Sequence, residues 1–219
     1  SVASATFTVD NSPPTVTIGA PSVAITANGP VIFAVTYADA NFSASALTAA
    51  NVSLNRNGTA DGSVEVSGSG ANYQVTVFSI SGDGTLSLSI ASGTATDLAG
   101  NPAPAAASQT FIVDHTAPAV KISAPSAAIT APGPVTYTVT YSDDNFKPST
   151  LVASQVTLRK TGTANGEIGV AGSGETRTVA ISNITGDGTL GIFIAAGSAS
   201  DLADNPAPAV GPSATFTVD

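Results

Sequence analysis

The chain restates itself at the period of a whole domain. "TFTVDNSPPTVTIGAPS" (residues 6–22) returns as "TFIVDHTAPAVKISAPS" (110–126), and "TFTVD" recurs at 215–219, so the copies start at 6, 110 and 215, in steps of 104 and 105 residues. Between these anchors "VTYADANF" (35–42) matches "VTYSDDNF" (139–146), "SGSGANYQVTV" matches "AGSGETRTVAI", and "SGDGTLSLSIASGTATDLAGNPAP" matches "TGDGTLGIFIAAGSASDLADNPAP". The extra residue of the second step follows NPAP, in a predicted loop. Solenoid units of roughly 20 to 50 residues lean on their neighbours for a core, whereas a period this long lets each copy own one. The boundaries that follow are 1–10, a last-strand remnant or extension; 11–114, repeat 1; and 115–219, repeat 2.

Inside each copy the pattern has period two. Val, Ile, Thr, Phe and Tyr alternate with polar residues, and apolar stripes at helical spacing do not persist. In repeat 1 this predicts strands near 15–18, 31–37, 51–55, 63–67, 72–79, 85–91 and 107–113, each bounded by Gly, Pro, Asn or Asp. An all-β fold with about seven short antiparallel strands in a hundred residues fits a two-sheet immunoglobulin-like β-sandwich, here twice in tandem. With Trp and Cys absent, core filling is assigned to Val, Ile and Leu together with Phe33, Tyr37, Tyr73, Phe78, Tyr137, Tyr141 and Phe193.

Composition removes several function classes. Charged residues are 10% of the chain, against roughly 25% in ordinary globular proteins, so Ser, Thr, Asn and Gly must clothe the surface. A net charge of -9 argues against nucleic acid, whose phosphates call for clustered Lys and Arg. No apolar run approaches the roughly 20 residues of a membrane-spanning helix, so membrane insertion is not expected. The lack of Cys excludes disulfides and thiolate chemistry.

Catalysis finds little footing. His115 is the single histidine and sits in the predicted linker, where repeat 1 carries Asn11; it reads as a solvated linker side chain. Glu65, Glu167 and Glu175 do not recur as a set, and a filled sandwich offers little of the cleft that a carboxylate pair needs. The chain is not expected to be an enzyme or to hold an organic cofactor.

Aspartates sort by recurrence. Asp10 and Asp114, Asp39 and Asp143, Asp83 and Asp187, and Asp97 and Asp201 appear in both copies, whereas Asp61, Asp144 and Asp204 do not. Sandwich topology brings the lead-in to the first strand, the loop after the second, and the loop before the last to one pole. That pole gathers Asp114, Asp143 and Asp201 at the joint, with Asn205 and Asp144 as weaker additions. Asp10, Asp39, Asp97 and Asn101 gather at the amino-terminal pole, a weaker site for want of a preceding repeat. Such carboxylates suit calcium, which takes six to eight oxygens; the same residues also suit Asx turns, and the two readings stand side by side. Asp83, inside "GDG", reads as a turn residue facing the joint from below, where it is a further candidate partner. Pro118 favours an extended, semi-stiff linker that a metal would stiffen further.

The order "TFTVDNSPPTVTI … VTYADANF … SGSGANYQVTV … GTLSLSIASGTATDLAGN … TFIVD" resembles the bacterial Ig-like repeats strung in tandem through large surface adhesins and other secreted proteins. The resemblance covers essentially the whole chain. It implies an extracellular or cell-surface spacer or adhesion module, often with bound calcium, whose partners are neighbouring Ig-like repeats. Repeat 2 departs from the pattern in reading DLADN for DLAGN, with Asp204 in place of Gly100; a positive φ there would suit Gly better than Asp. Two further functions are kept beside the spacer. One is a filament subunit that assembles end to end or by strand addition, to which "SVASATFTVD" would contribute an orphan strand. The other is a ligand-binding or accessory module of a secreted enzyme.

Overall fold

The computed structural model describes residues 6–130 and 133–219. Two compact units divide between His115 and Thr116. Residues 1–5 of the expected remnant lie outside the described residues.

Unit 1 contains β1 (Thr15–Ile18), β2 (Ile25–Thr26), β3 (Val31–Ala38), β4 (Phe42–Ser45), β5 (Val52–Gly58), β6 (Asp61–Ser69), β7 (Asn72–Ser81), β8 (Gly84–Ile90), β9 (Ala95–Asp97), β10 (Ala106–Ala107) and β11 (Phe111–Val113). One sheet runs β1-β3-β7-β6, antiparallel throughout. The other centres on β8, with β5 along one side and β11 and β10 along the other; β2 lies parallel to β11. Unit 2 repeats the plan with β12 (Ala119–Ile122), β13 (Ile129–Thr130), β14 (Val135–Ser142), β15 (Val156–Lys160), β16 (Asn165–Ser173), β17 (Thr176–Thr185), β18 (Gly188–Ile194) and β19 (Phe216–Val218). Its sheets run β12-β14-β17-β16 and β13-β19-β18-β15. These are all-β, Ig-like β-sandwiches.

Alternation explains the layers. In β3, Val31, Phe33, Val35 and Tyr37 face inward, and Leu86, Leu88 and Ile90 of β8 meet them from the opposite sheet with Phe111 and Val113. Unit 2 fills the same positions with Val135, Tyr137, Val139, Tyr141, Leu190, Ile192, Ile194, Phe216 and Val218. The lead segment stays bonded to β3 as far as Ser22, whose N donates to Ile32 O at 3.0 Å; the chain then crosses over, and Ile25–Thr26 joins β11. Parallel pairing there, and again between β13 and β19, departs from the wholly antiparallel sandwich expected.

Two aromatic assignments are corrected. Phe78 is exposed because Val75 and Val77 already take the inward phase of β7, and a bulge with Ser79 at φ 51° follows. Phe193, between the buried Ile192 and Ile194, points outward, where the Arg159 guanidinium lies 5.2 Å above its ring. Tyr73 is partly buried, packed against the core.

Leu88→Ala is expected to cost unit 1 about 2 to 5 kcal/mol in chemical denaturation, since Leu88 is fully buried. Phe78→Ala should cost about 0.5 kcal/mol or less, on the scale of surface changes.

Candidate metal site

The pole of unit 1 is built outward from a buried phenol. Burial raises the Tyr37 pKa, so its hydroxyl stays protonated and donates to Thr94 Oγ1 at 2.8 Å. That bond holds the stretch running from Thr94 into β9. Tyr37 also stacks on Phe42, ring centroids 6.5 Å apart, and Phe42 pairs in register with Asp97. The segment carrying Asp39 and Asn41 and the segment carrying Asp97 are thereby fixed side by side, with Leu98 N donating to Asn41 O at 2.8 Å.

Three carboxylates converge on this frame. Asp10, Asp39 and Asp97 each present an oxygen, and these oxygens lie within 4.8 Å of one another. Local donors hold each one. Asp39 Oδ1 accepts from Asn41 N at 2.7 Å, and Asp10 accepts from Ser12 N at 3.0 Å and Asn41 Nδ2 at 2.8 Å. Asn101 donates its backbone N and its Nδ2 to the two Asp97 oxygens at 2.8 and 2.7 Å, and its Nδ2 also reaches Asp10 O at 3.0 Å. Asp97 is buried. Burial acts to raise its pKa, but the Asn101 side chain and the backbone N–H groups of Asn101, Ala99 and Gly100 outweigh that and hold the carboxyl below its ordinary value. A hollow of about 240 Å³ beside the cluster is lined by Thr8, Asp10, Asn41, Leu98 and Ala99.

Unit 2 carries the same local wiring. Asp143 Oδ1 accepts from Asn145 N at 2.7 Å. Asp201, fully buried, accepts from Asn205 N at 2.9 Å and Asn205 Nδ2 at 2.7 Å. Tyr141 donates to Ser198 Oγ at 2.9 Å and stacks on Phe146 at 5.8 Å, as Tyr37 does with Thr94 and Phe42. Asp114 follows β11 at the end of unit 1, with its N–H on Thr26 O. Asp144 is exposed next to Asp143, and repeat 1 has Ala40 in its place.

Asn41 and Asn145 belong to the wiring and went unrecognised in the sequence, although they recur at the same spacing as the aspartates. His115, expected as a solvated linker side chain, is exposed, and it is also anchored: its backbone N donates to Asp83 Oδ1 at 2.6 Å and its Nδ1 lies 2.8 Å from Gly82 O. Asp83 is thus committed to a turn contact within unit 1. The positive φ expected at Gly100 is there, at 86°, and Asp204 adopts 68° in its place while its carboxylate pairs with Lys147 Nζ.

No protein-family model matches the sequence, and no curated protein matches it. Among solved structures, it is similar to the adhesin InvE of Yersinia pseudotuberculosis, at 16% identity and TM-score 0.32 over 93% of this chain and 58% of that one. It is also similar to the titin domains Z1Z2 solved with telethonin, at 16% identity and TM-score 0.33 over 96% of each chain. A third similarity is to domains 5–6 of the bacterial S-layer protein SbsC, at 20% identity and TM-score 0.28 over 94% of this chain and 97% of that one.

Asn101→Ala is expected to destabilise unit 1, and the loss should depend on pH with a definite sign. Because the folded Asp97 carboxyl titrates below its ordinary 3.8, its ionised form stabilises the fold above that value, and the benefit disappears as pH falls through the lower folded value. The gap between wild type and Asn101→Ala in urea midpoint should therefore be widest near neutrality and shrink below about pH 4.

Proposed function

We propose that the chain is a non-catalytic structural module of the bacterial surface or extracellular medium, two links of a tandem Ig-like array, with calcium held at the lead-in pole of each repeat. The observation that carries the calcium reading is the convergence of Asp10, Asp39 and Asp97. Their oxygens span at most 4.8 Å, which one cation with oxygens at roughly 2.3 to 2.6 Å can bridge. The donor chemistry fits: all three ligands are hard carboxylate oxygens, and the Asn101 and Asn41 donors occupy one lone-pair direction of an oxygen, leaving others available. Asp114, Asp143 and Asp201, with Asn205 and Asn145, repeat this set 104 residues on, so the second site is proposed on the pattern of the first. Asp144 is a peripheral contributor at most, since its counterpart is Ala40.

The module reading itself rests on sandwiches whose interiors are filled with side chains and whose surfaces are poor in charge. Of the groups that could serve acid–base chemistry, His115 has its ring against a backbone carbonyl. Asp97 and Asp201 are engaged by Asn101 and Asn205. An ion at each pole would tie the lead-in segment to the loops of its repeat and so limit the play of one link on the next.

Calcium titration calorimetry tests this. For dissociation constants near 10⁻⁴ to 10⁻³ M, usual for extracellular modules, 1 mM calcium should stabilise each site by roughly 0.4 to 1.4 kcal/mol, seen as a rise in melting temperature that chelator reverses. Asp39→Ala and Asp143→Ala should each remove one equivalent of bound calcium. No heat and no chelator-sensitive shift would leave the aspartates as turn formers alone.

A further inference from the structure

Unit 2 carries opposite charges on two neighbouring sheet edges, and they do not answer each other. β15 is the last strand of one sheet and β16 the last of the other, and among the described residues each is paired on one side alone, with β18 and with β17. The two edges share a flank of the sandwich, where Lys160 Nζ donates to Asn165 Oδ1 at 3.2 Å. The β15 edge is open in its main chain too. Ala195 N on Gln155 O and Thr161 N on Thr189 O fix the ladder phase at both ends, so Leu158 and Lys160 turn their N–H and C=O groups away from β18.

Arg159 stands on this edge strand, exposed, with the Phe193 ring behind it. Among the described residues its guanidinium meets no carboxylate, the ion pairs there being Arg56–Asp61 and Lys147–Asp204. Glu167 of β16 is exposed as well, and the donor on it is neutral, Asn183 Nδ2 at 2.8 Å. Both charges are particular to this repeat, because Asn55 and Ser63 hold the matching positions of repeat 1. There Asn55 bonds Ser87 and Ser89, and Arg56 is closed on Asp61 at 2.6 Å. Elsewhere in repeat 2 the gained charges Lys147 and Asp204 arrive as a pair. Arg159 and Glu167 arrive on adjoining edges without pairing.

A flank with a basic edge beside an acidic edge is complementary to itself when turned about a two-fold axis. We propose that this flank of unit 2 is an isologous dimer surface, and that its occupant is the same flank of a second copy of the chain. β15 lies along the partner's β16, and β16 along the partner's β15. Arg159 and Lys160 then face the partner's Glu167, twice in one interface, and the open main-chain groups of β15 gain ladder partners, the mode of strand addition. Each chain carries a net charge of -9, so the attraction must be local. Contact between opposite charges acts at short range, whereas the remaining like charges are screened beyond a Debye length of roughly 8 Å at physiological salt. No aspartate of the calcium sites takes part.

Charge reversal in the intact chain tests this. In sedimentation the wild-type mass should double as concentration rises, and added salt should move that transition to higher concentration. Glu167→Lys makes the flank wholly basic, and Arg159→Glu with Lys160→Glu makes it wholly acidic. Each variant should stay monomeric and melt as the wild type does, since the changed residues are exposed. Mixed in equal amounts, the two variants should recover a dimer holding one copy of each, read by native mass spectrometry. Ser63→Lys, at the matching position of unit 1, should leave dimerisation as it was. A wild-type chain that is monomeric at every concentration overturns the proposal and leaves the edge charges as guards against stray strands. So does a dimer that survives in either reversed variant, a mixture that stays monomeric, or a dimer lost on Ser63→Lys.

Discussion

Each sandwich hangs on a last strand of three residues. In unit 1, β11 is the rail between β8 and β2: Ile112 N and Asp114 N donate to Ala24 O and Thr26 O, while Phe111 and Val113 turn into the core. Phe111 sets its ring 6.1 Å from that of Phe33 in the facing sheet, so the strand joins the two layers as well as its own ladder. Without it, β2 has nothing to pair with and the apolar floor of β8 meets water. Chains of about a hundred residues per core have little stability to spare, and here no disulfide adds any. The TF-x-VD words at 110–114 and 215–219 are therefore tightly constrained by the structure.

Asp10 and Asp114 end their TF-x-VD segments, and Asp10 supplies one of the three oxygens gathered at the amino-terminal pole. At the amino-terminal pole the other two oxygens come from segments locked by Tyr37 through its bond to Thr94 and its stack on Phe42. Core packing therefore sets the separation of the carboxylates, and the loops need no further support to hold them together. The mutual repulsion of three carboxylates is offset in part by the amides of Asn41 and Asn101.

How much of this was legible in the sequence depended on length. Six of the seven strands expected in repeat 1 are present, because each carries enough alternation to show its period, whereas the seventh, expected over 107–113, is split into β10 (Ala106–Ala107) and β11 (Phe111–Val113). The pairs β2 with β11 and β4 with β9 were not foreseen, since two to four residues show no period and parallel pairing across Pro21 depends on where the chain must cross between layers. Counting aromatics as core failed for Phe78 and Phe193, whose phase on the strand is set by their valine and isoleucine neighbours. Recurrence located Asp10, Asp39 and Asp97 correctly on one pole, because topology alone brings their segments together. It missed Asn41 and Asn145, for they were hidden by attention to charge. The anchoring of His115 to the Gly82–Asp83 turn is a contact between distant segments that no local pattern encodes.

The two repeats are also a comparison within one molecule of what may change and what does not. Arg56 bonds Asp61 in repeat 1, and Lys160 bonds Asn165 at the matching positions of repeat 2. Tyr73 ties itself to Ser45, whereas its counterpart Arg177 reaches the carbonyls of Ser149 and Leu151. Gly100 becomes Asp204, and Lys147 arrives beside it to take up the new charge. In the first two cases the tie survives with different chemistry, and in the third a new one appears, which is what a requirement for stability alone permits, because many polar pairs can hold two loops together. At the poles the chemistry itself is kept: Asp, Asp, Asp and the two amides recur residue for residue. Turn formation would accept Ser, Thr or Asn at several of these places. Keeping three carboxylates close together is a stricter demand than a turn makes, and the calcium proposed above is a reading that would answer it.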